Sequence, residues 1–201
     1  MKLKPSFYNR TDVVQVSKDL LGKYLYTRFN NELTCGIITE TEAYNGAIDK
    51  ASHAFNNRRT NRTEVMFAEG GTAYVYICYG IHHLFNVVTN KKDIPHAVLI
   101  RAIYPVEGID IMMKRRNKMK VDKSFSNGPG TVGIALGIHV NHNGKSLIGD
   151  EIWIEDKGLK IKEKDITIGT RIGVESAGKD ALLPYRFRLL EKELFKYIKA
   201  K

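Results

Sequence analysis

The sequence predicts an α+β fold in a single domain, residues 1–201, built on a mostly antiparallel β-sheet surrounded by helices. Short runs rich in β-branched and aromatic residues follow one another across polar turns, as hairpin strands do. Helical patterns are few and do not alternate with the strands, which argues against a doubly wound parallel sheet. The length of 201 residues and the hydrophobic content of 43% suffice for one core, and no internal repeat divides the chain.

The first predicted elements are a helix and a strand pair. Thr11 or Asp12 can cap a helix that ends at Gly22. Its apolar residues recur at helical spacing: Val13, Val16, Leu20 and Leu21. The runs "KYLYTRF" and "TCGIITETEAY" flank a polar turn at Asn30-Asn31-Glu32 and therefore predict two antiparallel strands.

The second of these strands combines two acids and an aromatic ring. In an extended strand, Glu40, Glu42 and Tyr44 share one face. The other face holds Ile37, Thr39, Thr41 and Ala43. The two carboxylates are then roughly 7 Å apart, close enough to perturb each other's ionisation if shielded from water. Two interpretations remain open: a solvated strand face, or a carboxylate in a cleft that activates water for hydrolysis of a glycosidic bond, here extended to a nucleoside.

A long loop and a hairpin follow. Residues 45–71 lack periodicity and predict an ordered loop of the kind that often carries function. The run "TAYVYICYGIHHLFNVVTN" predicts a protruding β-hairpin with Tyr74 and Tyr76 on one face and its turn near Tyr79. Tyr79 is either a wedge that enters a DNA base stack or a tyrosine packed on a neighbouring loop.

The rest of the chain predicts further strands and two helices. "HAVLIRAIYP" is expected to be a strand, with Pro105 opening the helix "VEGIDIMMKRRNKMK". "SNGPGTVGIALGI" predicts a small-residue helix whose N-terminus either receives a phosphate or forms a tightly packed turn. The remaining strand candidates are "DEIWIED", "DITIGTRIGV" and "PYRFRLL".

The charge balance favours a polyanionic partner, with nucleic acid the leading candidate. The chain has 32 Lys and Arg against 22 Asp and Glu, a formal charge of +10. Two clusters could contact phosphates or could be solvated surface. They are Arg58, Arg59 and Arg62, and Lys114, Arg115, Arg116, Lys118 and Lys120.

Metal, redox and membrane functions are not expected. Cys35 and Cys78 form no C-x-x-C pair and are expected to be reduced and buried. The pairs His82-His83 and His139-x-x-His142 lack the further ligands of a zinc site. No apolar run approaches the ~20 residues of a membrane span and no signal peptide is evident, so we expect a cytoplasmic protein.

A set of short stretches spans nearly the whole chain in a characteristic order. They are "ETEAY" at 40–44, "SH" at 52–53, "MF" at 66–67, "GTAYVYICYG" at 71–80, Asn86, "VLIRA" at 98–102, "GPG" at 128–130 and "RIGV" at 171–174. Together they resemble the 3-methyladenine DNA glycosylases of the alkyladenine type, which excise damaged purines in base excision repair. The combination of "ETEAY" and "YVYICYG" at this spacing is the most specific part of the resemblance.

The resemblance implies a role for each matching residue. Glu42 would activate the water that attacks C1′ of a flipped nucleotide, with Glu40 in support. The damaged base would stack between Tyr44, His53 and Tyr76, and Tyr79 would fill the gap left in the DNA.

Three further residues match family positions around the bound nucleotide. Asn86 would crowd the amino group of a normal guanine, Arg101 would contact the backbone around the attacked nucleotide, and Ile172 would lie near that nucleotide. The resemblance also implies a curved sheet, no metal or other cofactor, and an abasic product without strand cleavage. We expect a compact bacterial-type monomer that acts on double-stranded DNA containing damaged purines, at the nucleoid when bound to DNA.

The expected substrates are 3-methyladenine, 7-methylguanine, hypoxanthine and ethenoadenine, in an order that the sequence does not give. A base alkylated at N3 or N7 is already cationic and leaves easily, whereas the neutral bases require protonation. The alternatives are a non-catalytic module that binds distorted nucleic acid and an RNA-binding module on a related architecture. The second alternative explains the charge but not Glu42 beside Tyr44.

Overall fold

The structure, a computed structural model, describes residues 1–199 and has the predicted α+β architecture around a curled antiparallel sheet. The helices are α1 Pro5–Tyr8, α2 Val13–Asp19, α3 Ile109–Arg116, α4 Pro129–Leu136 and α5 Glu191–Lys199. The strands are β1 Tyr24–Phe29, β2 Glu32–Tyr44, β3 Ala73–Cys78, β4 His82–Thr89, β5 His96–Glu107, β6 Ile152–Glu155, β7 Ile166–Gly169 and β8 Arg186–Leu189. The main path through the sheet is β3-β4-β5-β2-β1-β6, and β8 joins β2 to β7.

The predicted N-terminal helix and strand pair are present, but α2 ends at Asp19 rather than at Gly22, and the short helix α1 was not predicted. The carboxylate of Asp12 accepts the main-chain N–H of Gln15 at 2.9 Å and so caps α2. β1 and β2 pair antiparallel across a two-residue turn in which Asn30 and Asn31 have φ of 51° and 64°. Two consecutive left-handed residues are what a tight hairpin turn needs, and asparagine tolerates this conformation.

β2 is the long central strand, and its alternation is interrupted. Its pairing with β5 shifts register between Ile38 and Glu40, which is a bulge at Thr39. As a result Ile38 and Ala43 belong to one core cluster, whereas Ile37 packs in another cluster with β8 and α5. The prediction that Ile37 shares a face with Ala43 was therefore wrong, because strict alternation does not survive a bulge.

The helix predicted to open at Pro105 begins later. Pro105 lies in β5 opposite Gly36, where β4 no longer pairs with β5, so its missing N–H is tolerated at a free strand edge. α3 starts at Ile109 after Gly108, which has φ of 66° and leaves only 2.2 Å between an added Cβ and the main-chain oxygen of Leu33. Glycine is required there, and its position delays the helix.

The main core lies between the sheet and the helices α2, α3 and α4. Fully buried side chains from each of these elements meet there, among them Val16, Phe85, Ile100, Met112 and Val132. β3 and β4 pair in register from Ala73 opposite Val87 to Cys78 opposite His82, and residues 79–81 connect them. This arrangement brings the end of β2, the 45–71 loop and the β3–β4 pair around one cavity.

Candidate active site

A cavity of about 680 Å³ opens between β2, β3, β4, β5 and the loops around residues 45–63 and 172–176. Seven of the eight predicted site residues line it: Tyr44, His53, Tyr76, Tyr79, Asn86, Arg101 and Ile172. The eighth, Glu42, has no exposed surface and lies behind Tyr44, Arg101 and Ile172. The structure thus brings all of them to one place.

Glu42 is held through both carboxylate oxygens. Ile172 donates its main-chain N–H to Oε1 at 2.9 Å, and Arg101 Nη1 lies 3.4 Å from the same oxygen. Tyr44 donates its hydroxyl to Oε2 at 2.9 Å. Burial raises the pKa of Glu42, and Arg101, the Ile172 N–H and the Tyr44 hydroxyl oppose that rise. These donors favour a charged carboxylate in a place from which bulk water is excluded.

Glu40 has a different environment, although it lies only two residues away. Its carboxylate contacts Arg101 Nε at 3.2 Å, Arg186 Nη1 at 3.1 Å and Arg188 Nε at 3.6 Å. Three guanidinium groups around one acid leave it little capacity to activate water. Arg101 therefore links the two acids, and it lies at the register shift between β2 and β5. A bulge beside a site commonly re-aims a side chain in this way.

The aromatic wall combines Tyr74, Tyr76 and His53. The two tyrosine rings are 5.4 Å apart, and the edge of the His53 ring meets Tyr76 at 4.7 Å between ring centroids. His53 Nδ1 is 2.8 Å from the Tyr74 hydroxyl. Burial, with Arg62 and Arg58 nearby, lowers the pKa of His53 to about 4, so this ring is neutral near pH 7.

Asn86 is buried in β4 and lines the cavity. Its side-chain amide donates to the main-chain oxygens of Tyr74 at 3.1 Å and Leu84 at 3.4 Å. Both bonds are to main-chain atoms of the β3–β4 pair. The amide is therefore fixed in position on a rigid element rather than on a loop.

Tyr79 lies at the connection between β3 and β4 and is 88% exposed. Its φ of 51° is rare for a residue with a large side chain. The next residue but one, Ile81, is also exposed. The interpretation of Tyr79 as packed on a neighbouring loop does not agree with this exposure.

The charged rim of the cavity differs from the sequence-based expectation. Arg58 and Arg62 line the cavity, whereas Arg59 pairs with Glu64 and Asp93. In the predicted basic run, several side chains bind their own surroundings. Arg115 pairs with Glu32, Arg116 donates to two main-chain oxygens, and Lys118 pairs with Asp122. Because these side chains already have partners within the protein, they are less suited to bind phosphates than the sequence indicates.

Two buried partners, Arg171 and Asp49, were not singled out as site residues. The Arg171 guanidinium lies 4.9 Å from the centroid of the Tyr44 ring and pairs with the Asp49 carboxylate. Arg171 belongs to the "RIGV" stretch, so the family resemblance could have identified it as a site residue. Nothing in the sequence of the 45–71 loop distinguishes Asp49 from other acids. Arg186 and Arg188 were also missed, although alternation along "RFR" puts them on one face.

Other candidate sites have less support. A second cavity of about 620 Å³ includes His83, His139 and His142, but its Arg115 and Lys145 already pair with carboxylates. Within residues 1–199, no cluster of three or more His, Cys, Asp or Glu is arranged to hold a metal. Both cysteines are free, and Cys78 is only partly buried, contrary to prediction, because it lies at the rim of the first cavity.

Among residues 1–199, the structure has no helix with the length and apolar character that a membrane span requires.

Residues 6–193 match the family model for methylpurine-DNA glycosylase. Relatives named "Putative 3-methyladenine DNA glycosylase" include one from Clostridium perfringens, 45% identical over 96% of this chain and 98% of its own length. Another, from Chlamydia felis, is 47% identical over 93% of this chain and 95% of its own. The chain therefore belongs to the methylpurine-DNA glycosylase family.

Proposed function

We propose that this protein is a monofunctional DNA glycosylase that removes alkylated or deaminated purines from duplex DNA. It flips the damaged nucleotide into the cavity, hydrolyses the N-glycosidic bond and leaves an abasic site. The observation that carries the proposal is the fully buried Glu42 carboxylate, bound at both oxygens, behind a cavity lined with aromatic rings. A solvated strand acid would need neither the burial nor the partners.

Glu42 is suited to activate water. A carboxylate has about four acceptor positions, and the contacts described are one hydrogen bond at each oxygen and an ion pair with Arg101 at Oε1. The remaining position at Oε2 accepts a proton from the attacking water. The water oxygen bonds to C1′, the bond from C1′ to the base breaks, and the base leaves with the electron pair. The negative charge of Glu42 also stabilises positive charge that develops on the sugar.

The cavity suits a planar, electron-poor base. Aromatic faces and an anionic carboxylate attract a cation, and purines alkylated at N3 or N7 are cationic before they leave. A neutral base such as hypoxanthine lacks this advantage and needs a proton donor. Near pH 7 the neutral His53 has no ready proton to give, and burial raises the pKa of both Tyr44 and Tyr76. We therefore expect 3-methyladenine and 7-methylguanine to be released faster than hypoxanthine or ethenoadenine.

Extrusion of the base is assigned to the β3–β4 connection. Tyr79 projects an aromatic ring into solvent next to the cavity that it helps to line. Such a ring can occupy the gap in a base stack after a nucleotide leaves it. Arg58 at the rim would meet phosphates without reading sequence.

The test is single-turnover base release from matched duplexes that contain 7-methylguanine, hypoxanthine or guanine at one position. The wild-type protein should release 7-methylguanine fastest, and Glu42→Gln should bind the same duplex while releasing little base. Strand breaks that appear only after alkali treatment would identify an abasic product and show that the protein itself does not cleave the strand. Binding of damaged duplex with no release by the wild-type protein would instead favour the non-catalytic binding module.

A further inference from the structure

The loop that contains Ile172, whose N–H contacts Glu42, is anchored by a buried ion pair outside the cavity. Arg171 and Asp49 have side chains that are 0% and 1% exposed. Arg171 Nη2 donates to Asp49 Oδ1 at 2.9 Å, and Nη1 donates to Oδ2, so the pair is bidentate. Bidentate pairing fixes orientation as well as distance. A buried pair of this kind needs further hydrogen bonds to offset its desolvation, and both partners have them.

Those further bonds tie three segments together. Arg171 also donates to the main-chain oxygens of Ala43 and Asp180, each at 2.9 Å. Asp49 accepts the main-chain N–H groups of Asn45 and Ala51, each at 3.0 Å. The end of β2, the loop after it and the segment from 171 to 180 are thus held by one charge pair.

The pair reaches both oxygens of Glu42 through its neighbours. Ile172, the residue after Arg171, donates its N–H to Oε1, and Tyr44, the residue after Ala43, donates its hydroxyl to Oε2. The Arg171 guanidinium also packs 4.9 Å from the centroid of the Tyr44 ring. Arg171 makes no hydrogen bond to Glu42 among the contacts described, so it acts by holding the groups that do.

We propose that Arg171 and Asp49 form a positioning pair that keeps the Ile172 N–H and the Tyr44 hydroxyl on Glu42. The inference rests on the proposed glycosylase function for its kinetic consequence, but its structural consequence is independent of catalysis. If the pair loosens, Oε1 loses a donor and the charged form of Glu42 becomes less favourable.

The groups that face Glu42 make this effect measurable. They are Arg101 from β5, Glu40 and Tyr44 from β2, and the Ile172 N–H, with the Arg171 charge farther away. Asp49→Asn removes a nearby negative charge, which by Coulomb's law alone would lower the pKa of Glu42. Loss of the Ile172 donor would raise it. The sign of the shift therefore separates positioning from a simple charge effect.

The variants are Asp49→Asn, Arg171→Lys and the double variant. Arg171→Lys keeps the charge but loses the planar fork. The matched control is Glu32→Gln, which breaks the surface pair with Arg115 at the opposite end of β2 from Glu42 and outside this network. Thermal unfolding establishes which variants are folded; if Arg171→Lys is not folded, Asp49→Asn carries the test.

Two measurements on the free protein test the pair whether or not the protein is an enzyme. Carboxyl carbon NMR should show a higher pKa for Glu42 in Asp49→Asn and Arg171→Lys, and the Ile172 amide should exchange with solvent about 10-fold faster or more, as for a loosened local segment. In Glu32→Gln both values should equal the wild type. A Glu42 pKa that falls or stays constant in folded variants, with unchanged Ile172 exchange, overturns the proposal.

Single-turnover release of 7-methylguanine gives the kinetic arm. We expect a loss of about 10- to 100-fold at pH 7 in each single variant, since a displacement of about 1 Å at a site can cost that much. The acid limb of the pH profile should move to higher pH, and the double variant should lose little more than either single variant. If wild-type protein releases no base, the proposed function fails, and the NMR and exchange results still decide the positioning pair.

Discussion

Two parts of the cavity differ in exposure: its floor, where Glu42 lies behind Tyr44, Arg101 and Ile172, and the connection between β3 and β4, residues 79–81. At the floor, Glu42 has no exposed surface and its oxygens are bound by three other residues. At the connection, Tyr79 is 88% exposed on a backbone with φ of 51°. The floor is complete in the free protein, whereas an exposed aromatic ring gains burial only when a partner covers it. In the proposed mechanism, the groups around Glu42 are therefore in place before DNA binds, whereas Tyr79 is covered only when DNA is bound.

The largest effect should come from the floor, where the two acids can be compared directly. Glu42→Gln should slow base release by about 10²- to 10⁴-fold, the usual contribution of a general base. Glu40→Gln should keep the release rate within about 10-fold while lowering the melting temperature, because three arginines lose their common carboxylate. Single-turnover rates and thermal unfolding of both variants measure the contrast. Equal rate losses would show that the acids act together.

The next effect should come from the connection. Tyr79→Ala should slow release from duplex DNA by about 10- to 100-fold, because extrusion from a paired stack costs a few kcal/mol that the inserted ring offsets. The loss should be smaller on single-stranded or mismatched DNA, and Tyr79→Phe, which keeps the ring, serves as the control. The same loss on every substrate would remove Tyr79 from the role of wedge.

The pH dependence sharpens the account of the floor. Burial raises the pKa of Glu42 above its ordinary value, and only the deprotonated form accepts a proton from water. The release rate should therefore fall about tenfold per pH unit below that raised pKa, and less steeply above it. Rates from pH 4.5 to pH 8 on 7-methylguanine, whose departure needs no acid, test this. A flat profile down to pH 4.5 would contradict the raised pKa.

The smallest effect concerns selectivity. Asn86→Ser should increase release of normal guanine relative to 7-methylguanine by several-fold, since removal of a fixed amide opens space for an exocyclic amino group. The ratio of the two release rates is the quantity to measure, because it cancels any general loss of activity. An unchanged ratio would count against Asn86 as a gate.

Much of the fold was predictable because local chemistry dictates it. The Asn30-Asn31 turn, the Asp12 cap and the Pro129 start of α4 each follow from one or two residues. The bulge at Thr39 and the late start of α3 were not predictable, because they depend on neighbours distant in sequence. Close packing of Gly108 on Leu33 is one such case.

The site shows the same division. Spacing alone put Glu40 and Glu42 on one face with Tyr44, and the family resemblance distinguished between the two acids. What sequence reasoning missed was the supporting layer, namely Arg171, Asp49 and the arginines of β8. Their value comes from burial and from bonds across more than 100 residues, such as the one between Arg171 and Ala43. No local pattern encodes such a contact.

The hydrogen bond between Ile172 and Glu42 also joins residues far apart in sequence, and this has a consequence during protein synthesis. β2 leaves the ribosome early, but the N–H that fixes Glu42 Oε1 belongs to Ile172, and β8 follows later still. The floor of the cavity therefore cannot close until most of the chain has been made. A nascent or truncated chain contains Glu42 without the Ile172 N–H and without β8. Under the proposed function, we therefore expect the chain to be inactive on chromosomal DNA until translation nears its end.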